Sequence, residues 1–274
     1  MVKNEREWTA ANRRNWDERA GLHLLNRTGF YGIDRVRAGE DILHAIEAGE
    51  IGDLTGKRLL HLQCHFGLDT ICLARRGAAV TGLDFSEVAI AGARALAAEL
   101  GVTAEFVKGE IYDARAVLTG KFDRVYVTWG TICWLPDMRR WAQVVASLLA
   151  SGGSLYLADT HPSAQILEEI DGRIVPHYPW RTPTSQPLVF DDPETYTGDP
   201  TKLTHTRNYE WIHPLSEIVT AVIEAGLVVE FLHEHERLPW KLFPSMAPCA
   251  GGLFRLPDKA VPIPLAFSLL AIKS

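Results

Sequence analysis

Apolar and polar residues alternate with two different periods between positions 58 and 160. Five short apolar runs have the length of buried strands. They lie at 58–63, 79–83, 104–108, 122–128 and 154–159. The segments between them repeat apolar residues every three or four positions, which predicts helices over 67–76, 86–100, 113–118 and 137–150. Strands that alternate with helices indicate βαβ units, and therefore a parallel sheet with helices on both faces.

Further elements are predicted on both sides of this block. Helices over 4–20 and 38–50 precede it, and a helix over 214–225 follows it. Strands are predicted over 227–234 and 264–272. The alternation breaks over 161–210, which holds seven prolines and many aromatic residues, and again over the Pro- and Gly-rich stretch 237–262. The sequence therefore predicts an α/β doubly wound fold with one long insertion.

The segment 58–86 carries the most specific signal. It predicts a strand, a tight turn, a helix and a second strand that ends at Asp84, 17 residues after Gly67. In nucleotide-binding α/β folds an acid about 20 residues after the turn accepts the ribose hydroxyls. Backbone N–H groups at the turn and the start of its helix bind the remainder of the ligand. This arrangement predicts a nucleoside site.

Residues 60–67, LHLQCHFG, resemble the first motif of the class I S-adenosylmethionine-dependent methyltransferases. That motif runs hydrophobic, acidic, hydrophobic, Gly, x, Gly, x, Gly. Gly67 is retained, whereas His61 stands at the acidic position and Gln63 and His65 replace two glycines. The same replacements disfavour an NAD-dependent oxidoreductase, because a pyrophosphate needs the close backbone approach that glycine allows.

The resemblance implies a Rossmann-like methyltransferase fold. Its mostly parallel, seven-stranded sheet ends in an antiparallel hairpin. The resemblance rests on motifs over 58–160 and on pattern over 214–273. It implies one structural domain, with 1–57 as an N-terminal helical segment covering the cofactor site and 58–274 as the methyltransferase domain. Residues 161–210 are then expected to form a lid over the substrate.

The resemblance also implies S-adenosylmethionine as cofactor and S-adenosylhomocysteine as product. Asp84 is expected at the ribose hydroxyls, although an acid before Ser86 is also suited to cap a helix. Glu110 is expected at the adenine amino group and the Ile111 N–H at the adenine ring. The turn residues are expected near the methionine part. The candidate cofactor-binding residues are His61, Gln63, Cys64, His65, Gly67, Asp84, Phe85, Glu110, Ile111 and Thr128.

The stretch Thr128–Trp134 follows the fourth predicted strand and corresponds to the loop nearest the transferred methyl group in the family. Aromatic residues there and in the insertion are suited to line an apolar acceptor site; packing in the core or anchoring of the insertion is the structural alternative. The candidate substrate-binding residues are Tyr31, Trp129, Trp134, Tyr178 and Trp211. His161 and His213 are the candidate catalytic bases, since histidine titrates near neutral pH; a helix cap or a loop contact is the structural alternative for each.

The segment Asn15–Ala20, NWDERA, resembles one that precedes the core in many small-molecule methyltransferases. In those proteins the first helices fold over the cofactor. His23 or Tyr31 would then close the site.

Charge and cysteine content narrow the function classes. The net charge of −6 and the pI of about 5.9 disfavour a nucleic-acid partner, which calls for a basic face. The four cysteines lack CxxC spacing, and 233–236, HEHE, fits a solvated strand end, so no metal site is expected. No apolar run approaches the roughly 18 residues of a membrane span, and Met1–Glu5 lacks a signal core. A reduced, cytoplasmic protein without a membrane partner is expected.

These observations predict an S-adenosylmethionine-dependent methyltransferase that modifies a small molecule. Oxygen and nitrogen are the acceptor atoms considered first, and carbon is left open. The alternatives are an RNA or protein methyltransferase and a catalytically inactive S-adenosylmethionine-binding protein. The sequence also leaves open the identity of the acceptor and the presence of a homodimer.

Overall fold

A seven-stranded sheet forms the centre of the computed structural model, which describes residues 4–274. The strands of the chain are β1 (Arg58–Leu62), β2 (Ala79–Asp84), β3 (Glu105–Lys108), β4 (Phe122–Thr128), β5 (Leu149–Thr160), β6 (Leu167–Ile170), β7 (Arg173–Pro176), β8 (Leu188–Asp191), β9 (Arg207–Glu210), β10 (Leu227–His235), β11 (Arg237–Leu238), β12 (Ala247–Cys249), β13 (Leu253–Arg255) and β14 (Ala266–Lys273). The α-helices are α1 (Glu5–Leu24), α2 (Ile33–Arg37), α3 (Ala45–Glu50), α4 (Leu68–Arg75), α5 (Glu87–Glu99), α6 (Ala114–Val117), α7 (Met138–Leu148), α8 (Pro162–Gln165) and α9 (Leu215–Glu224).

The order of the central sheet is β10-β14-β5-β4-β1-β2-β3. The strands from β1 to β5 pair in parallel, whereas β14 runs antiparallel to both β5 and β10. The order reverses at β1, so the carboxyl ends of β1 and β4 flank the switch point where ligands bind in open α/β sheets. The predicted fold class, including the antiparallel final hairpin, is confirmed.

Alternation along the strands divides the core into two layers. Leu60 and Leu62 of β1 face α7 and α9, where Trp141 and Ile218 are buried. Leu59 faces the opposite layer, which contains α4, α5 and the short helices before β1. Both faces of the central strands are therefore covered, as expected for a parallel sheet.

The helix predicted over 38–50 is wrong in its first half. Helix α2 ends at Arg37, and Gly39 has a φ of +88°, a left-handed conformation that terminates helices. Leu43 instead packs into the core from a segment without regular structure. Helix α3 starts only at Ala45, where the backbone N–H of His44 donates to Glu47 Oε1 at 2.6 Å.

The two irregular stretches of the sequence contain short strands. The insertion 161–210 holds α8 and two antiparallel hairpins, β6–β7 and β8–β9. The stretch 237–262 holds a three-stranded sheet with the order β11-β13-β12. The insertion 161–210 follows β5, and 237–262 follows β10. Both strands end at the carboxyl edge of the central sheet, so both stretches border the predicted ligand site.

No helix within residues 4–274 is both long enough and apolar enough to cross a membrane. The first three residues of the predicted N-terminal segment 1–57 lie outside the described residues.

A pair of glycine substitutions tests the packing between β1, β2 and β3. A Cβ at Gly82 would lie 2.8 Å from Cys64 Sγ and 2.9 Å from Phe106 Cδ1. We expect Gly82→Ala to lower the free energy of unfolding by about 1–3 kcal/mol, because the core must be overpacked to admit the methyl group. Urea denaturation measures the change.

The matched control is Gly49→Ala in α3, where an added Cβ meets no atom within 4 Å. Alanine at an exposed helical position is expected to raise the free energy of unfolding by about 0.5–1 kcal/mol. Shifts of the same sign in both variants would contradict the close packing around Gly82.

Candidate cofactor and acceptor site

The turn between β1 and α4 keeps the backbone path of a glycine-rich turn without most of its glycines. Gln63 has a φ of +55°, His65 of +51° and Gly67 of +79°. A positive φ is uncommon for residues with a Cβ, and this strained conformation persists only where the surrounding structure enforces it. A Cβ at Gly67 would lie 2.6 Å from Phe106 Cε1, so only this position requires glycine for space. The turn therefore retains its shape despite the replacements at 63 and 65.

Asp84 holds this turn in place from the end of β2. Its Oδ2 accepts the backbone N–H of His65, and its Oδ1 accepts that of Ser86, each at 2.9 Å. Burial raises the pKa of Asp84 to about 6, while the two N–H donors oppose the rise. Each carboxylate oxygen has a second lone pair, so both can accept a further hydrogen bond.

The end of β3 lies next to Asp84. The Gly109 N–H donates to the backbone carbonyl of Asp84 at 2.9 Å, which places Glu110 at the neighbouring strand end. Burial raises the pKa of Glu110 to about 7. The Arg13 guanidinium of α1 opposes this shift, with its Nη1 3.7 Å from Glu110 Oε1. Ile111 follows as a buried residue. The structure thus brings Asp84, Glu110 and Ile111 to one edge.

One face of α1 binds the backbone of the insertion. Asn12 both donates to the Tyr209 carbonyl and accepts the Tyr209 N–H, each at 2.8 Å. Asn15 donates to the His205 carbonyl at 2.6 Å, and Glu18 accepts the N–H groups of Thr204 and His205 at 2.8 Å. A spacing of three residues along α1 puts these side chains on one face. The middle of α1 is therefore held against 204–209 by hydrogen bonds.

Two further residues of the NWDERA segment, Trp16 and Asp17, lie at the carboxyl edge of the sheet. Asp17 Oδ1 accepts the Ser86 hydroxyl at 2.6 Å, next to the start of α5. The Trp16 ring lies 5.4 Å from the His65 ring and 5.3 Å from the Trp134 ring. Helix α1 consequently connects the insertion, the β1–α4 turn and the loop after β4.

Histidine and tyrosine side chains close the site above the turn. His23 Nδ1 lies 3.4 Å from His65 Nε2, and His23 Nε2 lies 2.6 Å from Thr195 Oγ1. The hydroxyls of Tyr31 and Tyr196 are hydrogen-bonded to each other. Since Thr195 and Tyr196 belong to the insertion, it meets the N-terminal segment directly over the β1–α4 turn.

The loop after β4 is shaped by Asp159, a residue that sequence reasoning missed. This fully buried carboxylate at the end of β5 accepts the N–H groups of Gly130, Thr131 and Ile132 at 2.7, 2.9 and 3.2 Å. Gln63 Nε2 donates to the Thr131 carbonyl at 2.9 Å and ties the loop to the β1–α4 turn. An acid at the end of a central strand is the signal that could have identified Asp159.

The two candidate bases make structural contacts. His161 caps α8, because its Nδ1 accepts the Ser163 N–H at 3.1 Å; the proton on Nε2 faces Glu234 Oε1, 2.9 Å away. His213 is buried, and its Nε2 donates to the Leu135 carbonyl at 2.7 Å. Both imidazoles are thus held by capping or tethering contacts.

The remaining candidates fall into two groups. His61, Cys64, Phe85 and Thr128 lie on or beside the carboxyl edge, with His61 Nδ1 2.9 Å from Thr70 Oγ1. Among the aromatic candidates, Tyr31 and Trp134 meet the cluster around His65. The others pack elsewhere: Trp211 on Trp8, Tyr178 on Phe190 and Trp129 on Trp240.

The neutral state of His23 gives the folded protein a defined pH dependence. Burial lowers the pKa of His23 to about 3; Arg19 adds to the shift and Asp199 opposes it. Burial and His23 likewise lower the pKa of His65. The unfolded chain binds a proton on His23 below pH 6.5 that the folded chain excludes, so stability falls as the pH drops below 6.5.

We expect wild type to lose about 2 kcal/mol of unfolding free energy relative to His23→Gln between pH 7.5 and 5.0. Urea denaturation of both proteins across this range provides the measurement. Glutamine preserves a polar contact to Thr195 but does not titrate. Parallel pH profiles for the two proteins would contradict a buried, neutral His23.

Comparisons with known proteins agree with this geometry. Residues 59–153 match the family model for a methyltransferase domain. The ubiquinone biosynthesis O-methyltransferase of Cronobacter sakazakii is 32% identical over 118 residues, which cover 43% of this chain and 48% of that protein. The chain thus matches about half the length of this curated relative.

Solved structures match over more of the chain. An S-adenosylmethionine-dependent methyltransferase from Mesorhizobium loti has a TM-score of 0.56 at 17% identity, covering 83% of this chain and 96% of its own. Magnesium protoporphyrin IX methyltransferase from Synechocystis PCC 6803, with bound SAH, has a TM-score of 0.51 at 16% identity, covering 95% and 97%. The chain therefore carries a methyltransferase domain over residues 59–153 and shares the fold of these S-adenosylmethionine-dependent methyltransferases, which confirms the fold that the sequence motif predicts.

Proposed function

We propose that this chain transfers the methyl group of S-adenosylmethionine to an oxygen atom of a small-molecule acceptor. The proposal rests mainly on the position of Asp84. Its two carboxylate oxygens hold the β1–α4 turn and the start of α5, and each has a free lone pair for a ligand. The curated relative named above is an O-methyltransferase of ubiquinone biosynthesis, which supports oxygen among the acceptor atoms that the sequence leaves open.

The residues at the carboxyl edge fit the cofactor. Among the described residues, Gln63 Oε1 and Thr128 Oγ1 are buried without a hydrogen-bond partner, as polar atoms that face a ligand are. Helix α4 begins directly after the turn, and its N-terminus favours a carboxylate such as that of the methionine part. We assign the ribose to Asp84 and the adenine to Glu110 and Ile111.

When bound, the cofactor supplies a methyl group on a sulfonium, which an acceptor atom displaces in line. The chain's contribution is to align the two molecules and keep water out. Asp159 fixes the loop after β4, and Trp16 and Trp134 cover the edge with apolar surface. Since His161 and His213 are held by other contacts, we propose that positioning, rather than either imidazole, is the main contribution of the residues named here.

The contacts of α1 support the proposed division of the domain. We propose that residues 1–57 cover the cofactor and that 161–210 forms the lid over the acceptor, because Asn12, Asn15 and Glu18 hold the two segments together. All four cysteines are free thiols, which supports the cytoplasmic setting proposed for the chain.

Calorimetric titration with S-adenosylhomocysteine tests the proposal. We expect wild type to bind S-adenosylhomocysteine and not NAD. We expect Asp84→Ala to weaken binding by about 1–3 kcal/mol, because hydrogen bonds to the ribose hydroxyls from a charged acceptor are lost.

The exposed Asp53, which lies before β1 at the opposite edge of the sheet, provides the matched control. Its carboxylate accepts the Thr55 N–H at 2.9 Å in a local turn. Asp53→Ala is expected to bind S-adenosylhomocysteine as wild type does. Absence of binding by wild type, or equal affinity in Asp84→Ala, would contradict the proposed site.

A further inference from the structure

A second polar cluster lies on the face of β4 that carries Tyr126 and Thr128. Two residues apart on one strand, these side chains share a face. Glu47 of α3 is fully buried against it: its Oε1 accepts the His44 N–H at 2.6 Å, but its Oε2 has no hydrogen-bond partner among the described residues. The Tyr126 hydroxyl and Thr128 Oγ1 are also buried without a partner. Two elements, α3 and β4, thus leave three unpaired polar atoms on this face.

The charges around Glu47 are negative. Burial raises the pKa of Glu47 to about 8, and the Asp69 carboxylate in the first turn of α4 adds to the shift. Burial and both acids together raise the pKa of Tyr126. The Trp129 indole N–H faces Glu47 and opposes the rise without completing a hydrogen bond.

The neighbouring histidines provide no cation, and the Arg35 guanidinium, which helps to lower the pKa of His44, forms its ion pair with Glu40. Burial lowers the pKa of His44 to about 4 and that of His61 to about 3, so both are neutral at pH 7. The Tyr156 hydroxyl donates to Glu50 Oε2 at 2.8 Å. Within residues 4–274, neither Glu47 nor Asp69 forms an ion pair with a basic side chain. A buried carboxylate without a partner is unfavourable, and a bound cation with several N–H donors would relieve it.

We infer that Glu47, together with the hydroxyls of Tyr126 and Thr128, binds the α-ammonium group of the cofactor's methionine part. This assignment rests on the proposed function. His61 occupies the motif position at which the family has an acid, and its ring lies 5.0 Å from the Tyr126 ring. Asp69 lies two residues after Gly67. The cluster therefore borders both ends of the turn assigned to the methionine part, and Glu47 supplies from α3 the carboxylate that β1 lacks.

Two ligands separate this assignment from a general loss of cofactor binding. S-adenosylhomocysteine carries the ammonium group, whereas 5′-methylthioadenosine has the same nucleoside and thioether without the ammonium or the carboxylate. We expect Glu47→Gln to lower the affinity for S-adenosylhomocysteine about 10- to 100-fold, because a charge-assisted contact is lost. The affinity for 5′-methylthioadenosine is expected to stay within about twofold of the wild-type value. Calorimetric titration measures all affinities.

Glu50→Gln is the matched control on the same helix. The Glu50 carboxylate contacts Tyr156 and His233, away from the unpaired atoms, so this variant is expected to bind both ligands as wild type does. Glutamine at position 47 retains the oxygen that accepts the His44 N–H, and the thermal unfolding midpoint checks the fold of both variants.

A measurement on wild type alone provides an independent test. Glu47 is largely protonated at pH 7 in the free protein, and an ammonium partner would favour the carboxylate, so binding should release close to one proton. Titrations in two buffers of different ionisation enthalpy should show this release with S-adenosylhomocysteine and not with 5′-methylthioadenosine.

The failures of the two proposals differ. Equal affinity of wild type and Glu47→Gln for S-adenosylhomocysteine would overturn the ammonium site and leave the proposed function intact. The same result is expected if the cluster binds an amine of the acceptor instead. No binding of S-adenosylhomocysteine by wild type would overturn the proposed function and this assignment with it.

Discussion

The hydrogen bonds that Asp84 accepts from His65 and Ser86 determine the shape of the site. Two residues with side chains, Gln63 and His65, hold left-handed conformations that glycine would adopt without strain. Such conformations persist only where the surroundings enforce them. Asp84 does so from β2, and Gln63 adds its own bond to the Thr131 carbonyl. The carboxylate to which we assign the ribose therefore also maintains the turn beside it.

A second buried carboxylate, Asp159, also holds backbone groups at the end of a strand. Asp159 at the end of β5 accepts three consecutive N–H groups of the loop after β4. Backbone N–H groups near such a buried acid are satisfied by it, and the acid gains donors that offset its desolvation. Glu47 differs, since half of its carboxylate is unpaired. That contrast distinguishes Asp159, whose oxygens are occupied by backbone donors, from Glu47, whose unpaired oxygen we assign to the ligand.

Helix α1 connects the insertion to the carboxyl edge of the sheet. Its Asn12, Asn15 and Glu18 hold the insertion through backbone atoms, while Trp16 and Asp17 contact the turn and the start of α5. Because Asn12, Asn15 and Glu18 bind backbone groups of 204–209, these hydrogen bonds do not depend on the side chains of that stretch. The side chains of the proposed lid, 161–210, can therefore differ without loss of its contact with α1.

The alternating strands and helices of 58–160 and the position of Asp84 could be predicted from local periodicity and motif spacing. The seven-stranded sheet with its antiparallel hairpin was implied by the family resemblance. The contacts that complete the site could not be predicted, since they join distant residues: Asn12 and Tyr209 are 197 positions apart. The role of Glu47 depends on where α3 packs, and the apolar pattern predicts one helix over 38–50 although α3 begins only at Ala45. The helix cap made by His161 follows from the local sequence, because Pro162 is favoured in the first turn of a helix and the Ser163 N–H is within reach of the imidazole.

Amide hydrogen exchange of the full chain, with and without S-adenosylhomocysteine, tests most directly whether this edge is the cofactor site. Protection is expected at 63–67, 84–89 and 110–112, where backbone groups border the assigned ribose, adenine and methionine positions, and in α1 as the cover closes. Protection confined to other segments, with 63–67 and 84–89 unchanged, would contradict the assignment of this edge to the cofactor.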